Sequence, residues 1–139
     1  MAISIAYLGL RVCERLALRW GDVDFGSLTV RIQRSIVAGD VNATKNEASE
    51  GTLPLDPDLA EALLQHKARA AYKSDSDYVF AGRTGKPSWK DWILADRLKP
   101  VAKRAKIGGV GFGWHTFRHS YRNWLKRFNT PLKTQRQLM

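Results

Sequence analysis

The sequence predicts an α+β fold that is mainly helical and contains one small three-stranded antiparallel sheet. Apolar residues recur at helical spacing along most of the chain, whereas apolar and polar residues alternate at residues 28–33. The predicted order is therefore a helix, a sheet and then further helices. Nothing within the 139 residues has the composition of a linker, so we expect a single domain.

The first predicted element is a helix over residues 3–19, in which apolar residues recur at helical spacing. Gly9 lies inside it and marks a kink or a junction between two helices. Trp20-Gly21-Asp22 ends the segment.

The sheet is predicted from three short stretches that follow. Leu28, Val30 and Ile32 alternate with polar residues, which is typical of a half-buried strand. Further strands are expected at residues 41–45 and 52–55. The turn Ala38-Gly39-Asp40 and a polar hairpin tip at residues 46–49 would connect them.

The rest of the chain is predicted to be helical, at residues 57–72, 89–106, 115–128 and from residue 132 onward. Asp56 followed by Pro57 is a capping side chain before a proline in the first turn. Ser88 is predicted to cap the next helix. Pro100 lies inside that helix and predicts a kink or a break after Lys99.

The composition favours a polyanionic partner. The chain has 23 Lys and Arg against 13 Asp and Glu, which gives a net charge of +10. Nucleic acid is the commonest partner of such a chain, and an anionic membrane surface is the alternative. We expect no membrane segment, because no apolar stretch reaches spanning length and no signal peptide opens the chain. The single Cys13 suits a reducing cytosol.

The most informative motif is His115-Thr116-Phe117-Arg118-His119. On a helix, His115 and Arg118 would project from one face, where a guanidinium beside an imidazole makes a good phosphate clamp. A metal pair of His115 and His119 is also conceivable. So is a basic helix with two partly buried histidines.

Two further motifs stand in a fixed order before this histidine–arginine box. They are Leu8-Gly9-Leu10-Arg11-Val12-Cys13-Glu14, continued by Leu16-Ala17-Leu18-Arg19-Trp20, and Thr44-Lys45-Asn46-Glu47-Ala48-Ser49, followed by Leu53-Pro54-Leu55. The ordered set resembles the first arginine motif, the β-hairpin lysine segment and the histidine–arginine box of the tyrosine recombinases, the phage integrase family. The resemblance covers essentially all 139 residues.

The resemblance implies a catalytic role for Arg11, Lys45, His115 and Arg118. In this family two arginines stabilise the charge that builds on the phosphoryl oxygens during strand cleavage. The lysine is the candidate general acid for the leaving 5′-oxygen. The box histidine supports the phosphate and proton transfer. No metal, ATP or other cofactor is needed, so none is expected.

Supporting positions follow from the same resemblance. Glu14 would hold a guanidinium in place, or form an ordinary surface ion pair. His119 is expected to pack or to contact the DNA backbone rather than to bind metal. The residues expected to contact double-stranded DNA are Thr44, Arg19, Lys103 and Arg104. The resemblance also implies a cytoplasmic protein of a bacterial or phage-infected cell.

The family's nucleophilic tyrosine is expected to be absent from these residues. Tyr121 follows the box, but it lies only three residues after Arg118. We therefore expect residues 1–139 to be a partial catalytic domain, truncated at both ends, that binds DNA phosphate as a monomer and does not cleave. The full-length protein would recombine or integrate DNA through a 3′-phosphotyrosine and oligomerise on DNA.

Two other functions fit the sequence. A non-catalytic basic module that binds nucleic acid would need only the net charge of +10. A metal-dependent nuclease would use His115 and His119, although the sequence offers no glutamate nearby in that helix.

Overall fold

The computed structural model describes residues 8–37, 40–43, 51–107 and 111–130. They divide into two compact units. The sheet unit comprises Cys13–Pro87, and the split unit comprises Met1–Val12 together with Ser88–Met139. No helix of the described ranges is long and apolar enough to span a membrane.

The elements from the first motif through the sheet unit are these: α1 (Val12–Leu16), a 3₁₀ turn (Trp20–Asp22), β1 (Val23–Asp24), β2 (Thr29–Ile32), β3 (Arg34–Val37), β4 (Asp40–Ala43), β5 (Gly51–Pro54) and α2 (Pro57–Arg69). The helix predicted over residues 3–19 is therefore shorter than expected. Among its described residues after Gly9, only the five residues of α1 are α-helical. Gly9 has a φ of +60°, a left-handed conformation that interrupts a right-handed helix.

The predicted three-stranded antiparallel sheet is confirmed, but one of its strands differs from the prediction. Its strand order is β1-β2-β5. Val30 at the centre of β2 lies opposite Val23 on one side and Leu53 on the other. The alternation in β2 is also confirmed, since Val30 and Ile32 are buried whereas Arg31 is exposed.

The strand expected at residues 41–45 is not part of this sheet. Its described residues form β4, which pairs with β3 in a separate two-stranded hairpin, with Arg34 opposite Ala43. Only Gln33 separates β2 from β3. The two strands nevertheless have different partners, since β2 pairs with β1 and β5 whereas β3 pairs with β4. The missed strand β1 forms because the Asp24 carboxylate accepts N–H bonds from Gly26 and Ser27 and turns the chain back into β2.

Helix α2 begins as predicted. The Asp56 side chain accepts hydrogen bonds from the backbone N–H groups of Asp58 and Leu59, and Pro57 occupies the first turn. Leu59 and Leu63 lie on its buried face. The helix ends at Arg69, three residues before the predicted end.

The core of the sheet unit is built around Trp20, which is 1% exposed. Its indole N–H donates to the Tyr72 carbonyl, and the Val79 N–H donates to the Leu18 carbonyl. These bonds join the α1–β1 segment to the chain that follows α2. The Arg15 guanidinium carbon lies 5.5 Å from the centre of the Phe80 ring.

Arg15 is completely buried, with 0% exposure. Desolvation penalises its charged form and lowers the pKa of the guanidinium to about 9.

Among its described residues, the split unit contains a helical segment in three parts and a longer helix after it. They are α3 (Lys90–Trp92), a π-helical turn (Ile93–Leu98), α4 (Lys99–Arg104) and α5 (Trp114–Arg127). The prediction that Ser88 caps this segment is wrong. Trp89 occupies the cap position and makes no side-chain capping bond.

Pro100 does not break the segment. The N–H of Lys99 donates to the Leu94 carbonyl, five residues back, so the helix is locally widened just before the proline. Because proline has no N–H and its ring crowds the preceding turn, a wider turn there accommodates it. Helix α5 matches the prediction within one residue and ends at Arg127. Asn129, just beyond it, has a φ of +50°. The helix predicted from residue 132 onward lies outside the described residues.

Gly9 and Tyr121 are in close contact within the split unit. A Cβ atom added to Gly9 would lie 2.4 Å from the Tyr121 Cδ1 atom. The position therefore requires glycine for two reasons, its left-handed backbone and the ring against it.

We expect Arg15→Met to remove a pH dependence from the stability of the protein. The folded-state pKa of Arg15, about 9, lies below the ordinary value of 12.5. Above pH 9 the unfolded chain therefore binds more protons, and the free energy of unfolding rises with pH by up to about 1.4 kcal/mol per unit. In the Arg15→Met protein this contribution is missing.

Urea unfolding from about pH 8 to about pH 10 measures the difference. Arg69→Met, at an exposed arginine of α2, is the control and should follow the wild type. A stability difference between wild type and Arg15→Met that stays constant over this range would contradict the prediction.

We expect Gly9→Ala to destabilise the protein by at least about 2 kcal/mol, because an alanine there is strained and also collides with Tyr121. Gly51→Ala is the matched control, since its Cβ would meet nothing within 4 Å. That variant should stay within about 0.5 kcal/mol of wild type. Equal thermal unfolding temperatures of the two variants would contradict the prediction, because they would show that the contact with Tyr121 does not affect stability.

Candidate functional site

The histidine–arginine box lies in the first turns of α5, whose start is held by three local contacts. The Gly113 N–H donates to the Thr116 hydroxyl at 3.0 Å. The Trp114 indole N–H donates to the Lys90 carbonyl at 3.2 Å, which joins α5 to the start of α3. Phe112 packs edge-on against Phe117 at 5.6 Å. The box therefore lies at the start of a helix, as the sequence predicted. The three contacts hold that start in place.

The side chains of the box differ in exposure. His115 and His119 are exposed, whereas Arg118 is half-buried. The hypothesis of two partly buried histidines is therefore wrong. Within the described ranges, no group of three or more His, Cys, Asp or Glu side chains is placed to hold a metal ion.

Arg118 contacts the segment that leads into the first arginine motif. Its Nη1 atom donates to the Gly9 carbonyl at 2.9 Å, across 109 positions of sequence. Gly9 lies two residues before Arg11, and both belong to the split unit. The fold thus brings the Arg118 guanidinium to the first motif. The sequence analysis had inferred that the two motifs must meet, but it did not show where.

Tyr121 packs on the same glycine, one turn further along α5. Its ring is half-buried, and burial raises the pKa of its hydroxyl group. Gly9 is thus held by Arg118 through its carbonyl and by Tyr121 over its Cα. The two contacts fasten the box helix to residues 8–11.

The first motif itself places its charged residues differently. Arg11 is exposed and directly precedes α1, whereas Glu14 lies on α1 and is only 6% exposed. The alternative that Glu14 forms an ordinary surface ion pair is therefore wrong, because surface pairs lie in solvent. The role of Glu14 in holding a guanidinium stays a prediction.

The residues expected to contact DNA fall into three groups. Lys103 and Arg104 are exposed on α4, where cations can meet a polyanion. Arg19 is half-buried, with its guanidinium carbon 5.2 Å from the centre of the Tyr78 ring and an Nη2 bond of 3.5 Å to the Tyr78 hydroxyl. Thr44 and the candidate acid Lys45 lie outside the described residues.

The surroundings of two arginines of the sheet unit were not predicted from the sequence. One is Arg15, whose burial no sequence pattern predicts because arginine is rarely buried inside a domain. The other is Arg34, which pairs with Asp22, whose carboxylate is 8% exposed. The two residues are twelve positions apart on different elements. Helical or strand spacing therefore could not predict that they pair.

Comparison with known proteins extends these observations. The model of the phage integrase family matches residues 1–139. A tyrosine recombinase XerC-like protein of Caldanaerobacter subterraneus subsp. tengcongensis is 29% identical over an alignment of 158 residues, gaps included, that covers 94% of this chain and 39% of that protein.

Two solved structures share the fold. The Tn1549 transposon integrase in complex with circular intermediate DNA has a TM-score of 0.83 at 17% identity, over 99% of this chain and 49% of that one. A XerA recombinase has a TM-score of 0.76 at 21% identity, over 99% and 46%. The chain therefore spans about half the length of these structures or less. With the family model matching from the first residue to the last, the chain belongs to the phage integrase family.

Proposed function

We propose that residues 1–139 are the phosphate-binding part of a tyrosine recombinase catalytic domain that cuts and rejoins DNA at specific sites. The observation that carries the proposal is the bond from Arg118 to the Gly9 carbonyl. It attaches the histidine–arginine box to the segment that carries Arg11. Two arginines held in one unit suit the binding of one phosphate.

In the proposed reaction a tyrosine oxygen attacks phosphorus and the bond to the 5′-oxygen breaks. Negative charge then grows on the non-bridging oxygens, where the Arg11 and Arg118 guanidinium groups stabilise it without a metal. His115 supports the phosphate and the proton transfers, and Lys45 protonates the leaving 5′-oxygen. These roles rest on the family resemblance.

Double-stranded DNA is the proposed partner. The net charge of +10 and the exposed Lys103 and Arg104 on α4 support binding to the DNA backbone. Such binding weakens steeply with salt, because each neutralised phosphate releases counterions. Oligomerisation of the longer protein on DNA and a monomeric state of residues 1–139 complete the proposal.

The nucleophile is proposed to come from outside residues 1–139. Tyr121 packs against Gly9, and burial raises the pKa of its hydroxyl group, which disfavours the phenolate. A tyrosine in that position serves packing. Residues 1–139 alone are therefore expected to bind DNA without forming a covalent bond to it.

A non-catalytic nucleic-acid module is the second candidate, favoured by the exposed cations of α4. It predicts that Arg11 and Arg118 contribute to DNA affinity no more than Lys103 and Arg104 do.

A nicked DNA substrate that traps the covalent intermediate tests the proposal. A chain extended past Met139 by its coding sequence should form a protein–DNA adduct, resolved on a denaturing gel. Residues 1–139 should form none. In the extended chain, Arg118→Lys should reduce the adduct rate by at least about 100-fold, because a lysine cannot reproduce the guanidinium fork.

The control is Arg104→Gln, which removes an exposed cation of α4 and should weaken DNA binding while leaving adduct formation at saturating DNA unchanged. Thermal unfolding of Arg118→Lys checks that the fold persists. The proposal would be contradicted if residues 1–139 formed an adduct. It would also be contradicted if Arg118→Lys formed the adduct at the wild-type rate.

A further inference from the structure

Gly9 is the point where the box helix α5 meets the segment that carries Arg11. Its neighbours Leu8 and Leu10 are buried, so each is held in place by its own side chain. Gly9 has no side chain, and glycine has more backbone freedom than any other residue. The direction of its carbonyl, which accepts the Arg118 Nη1–H at 2.9 Å, therefore depends on contacts that other residues make with it.

The ring of Tyr121 makes such a contact. A Cβ atom added to Gly9 would lie 2.4 Å from the Cδ1 atom of Tyr121, 2.6 Å from Cε1 and 3.2 Å from Cγ. One edge of the ring therefore lies directly over the Cα atom of Gly9. All three atoms are ring carbons, so the contact belongs to the ring and not to the hydroxyl group.

Arg118 and Tyr121 approach Gly9 from the same helix. They are three residues apart on α5, a spacing that makes them neighbours on its surface, and both are half-buried. Arg118 bonds the carbonyl of Gly9, whereas Tyr121 covers its Cα atom. A rotation of the backbone at Gly9 would redirect the carbonyl and, with it, the guanidinium group that bonds it.

We propose that Tyr121 is a positioning residue for Arg118. Its ring fixes the carbonyl of Gly9, and that carbonyl sets the orientation of the guanidinium group on the scissile phosphate. This inference rests on the proposed function. It gives Tyr121 a part in the reaction that involves neither contact with DNA nor chemistry of its hydroxyl group.

The proposal predicts slower cleavage with little change in DNA affinity. As the nucleophilic oxygen bonds to phosphorus and the bond to the 5′-oxygen breaks, negative charge grows on the non-bridging oxygens. A guanidinium group stabilises that charge fully only in the correct orientation. A displacement of about 1 Å in such a group can slow a reaction by about 100-fold. The exposed cations of α4 are not affected by the change.

The experiment measures adduct rates at saturating nicked DNA, and DNA affinity separately, for the chain extended past Met139. Tyr121→Ala and Tyr121→Leu should each lower the adduct rate by about 10- to 100-fold and leave DNA affinity within about threefold of wild type. Leucine keeps an apolar side chain of similar bulk, so the test stays decisive if alanine impairs folding. Tyr121→Phe keeps the ring and should react within about twofold of wild type.

A double-mutant cycle with Arg118→Ala distinguishes positioning from a general loss of stability. A nicked substrate accumulates the adduct irreversibly, so slow rates can be followed over hours. Without the guanidinium group there is nothing left to position, so Tyr121→Ala should then slow the reaction by less than about twofold. Leu125→Ala, at another half-buried residue of α5, is the matched control. Its effect should be the same factor with and without Arg118.

The outcomes separate the two claims. No adduct from the wild-type extended chain would refute the proposed function. With an active wild type, an equal loss from Tyr121→Ala in the presence and absence of Arg118 would show a merely structural role and overturn this inference alone. Wild-type rates for both Tyr121→Ala and Tyr121→Leu would overturn it too, as would a Tyr121→Phe protein as slow as Tyr121→Ala.

Discussion

The hydrogen bond between the Arg118 guanidinium and the Gly9 carbonyl is the interaction on which the candidate site depends. It joins residues 109 positions apart and brings the box helix to the first arginine motif. Gly9 has a left-handed backbone conformation at this point of attachment. Because a guanidinium has five N–H donors in one plane, holding a carbonyl and binding a phosphate are compatible tasks.

Arginines serve different purposes in this chain, although the net charge counts them alike. Lys103 and Arg104 are exposed on α4, where they add to the positive field of the surface. Arg15 is buried in the core beside Phe80, and Arg34 is bound to a buried carboxylate. A basic composition therefore indicates a polyanionic partner, but part of the charge stabilises the fold and never meets that partner.

The sequence predicted the parts of the fold that local physics determines. The Asp56 cap, the alternation in β2 and the extent of α5 each follow from spacing and side-chain chemistry. Local patterns could not reveal that β2 pairs with β5 and not with β3, since β5 lies far along the chain from β2. For the same reason the sequence required Arg11 and Arg118 to meet but could not identify the carbonyl of Gly9 as the point of attachment.

The central claim is that Arg11 and Arg118 act as one clamp on one phosphate, and a double-mutant cycle tests it most directly. Adduct rates would be measured for the extended chain with Arg11→Ala, with Arg118→Ala and with both. Residues that act as a unit lose most of their effect at the first substitution, so the double variant should be about as slow as the slower single variant. Losses that multiply would mean that the two arginines act independently, which would contradict the account.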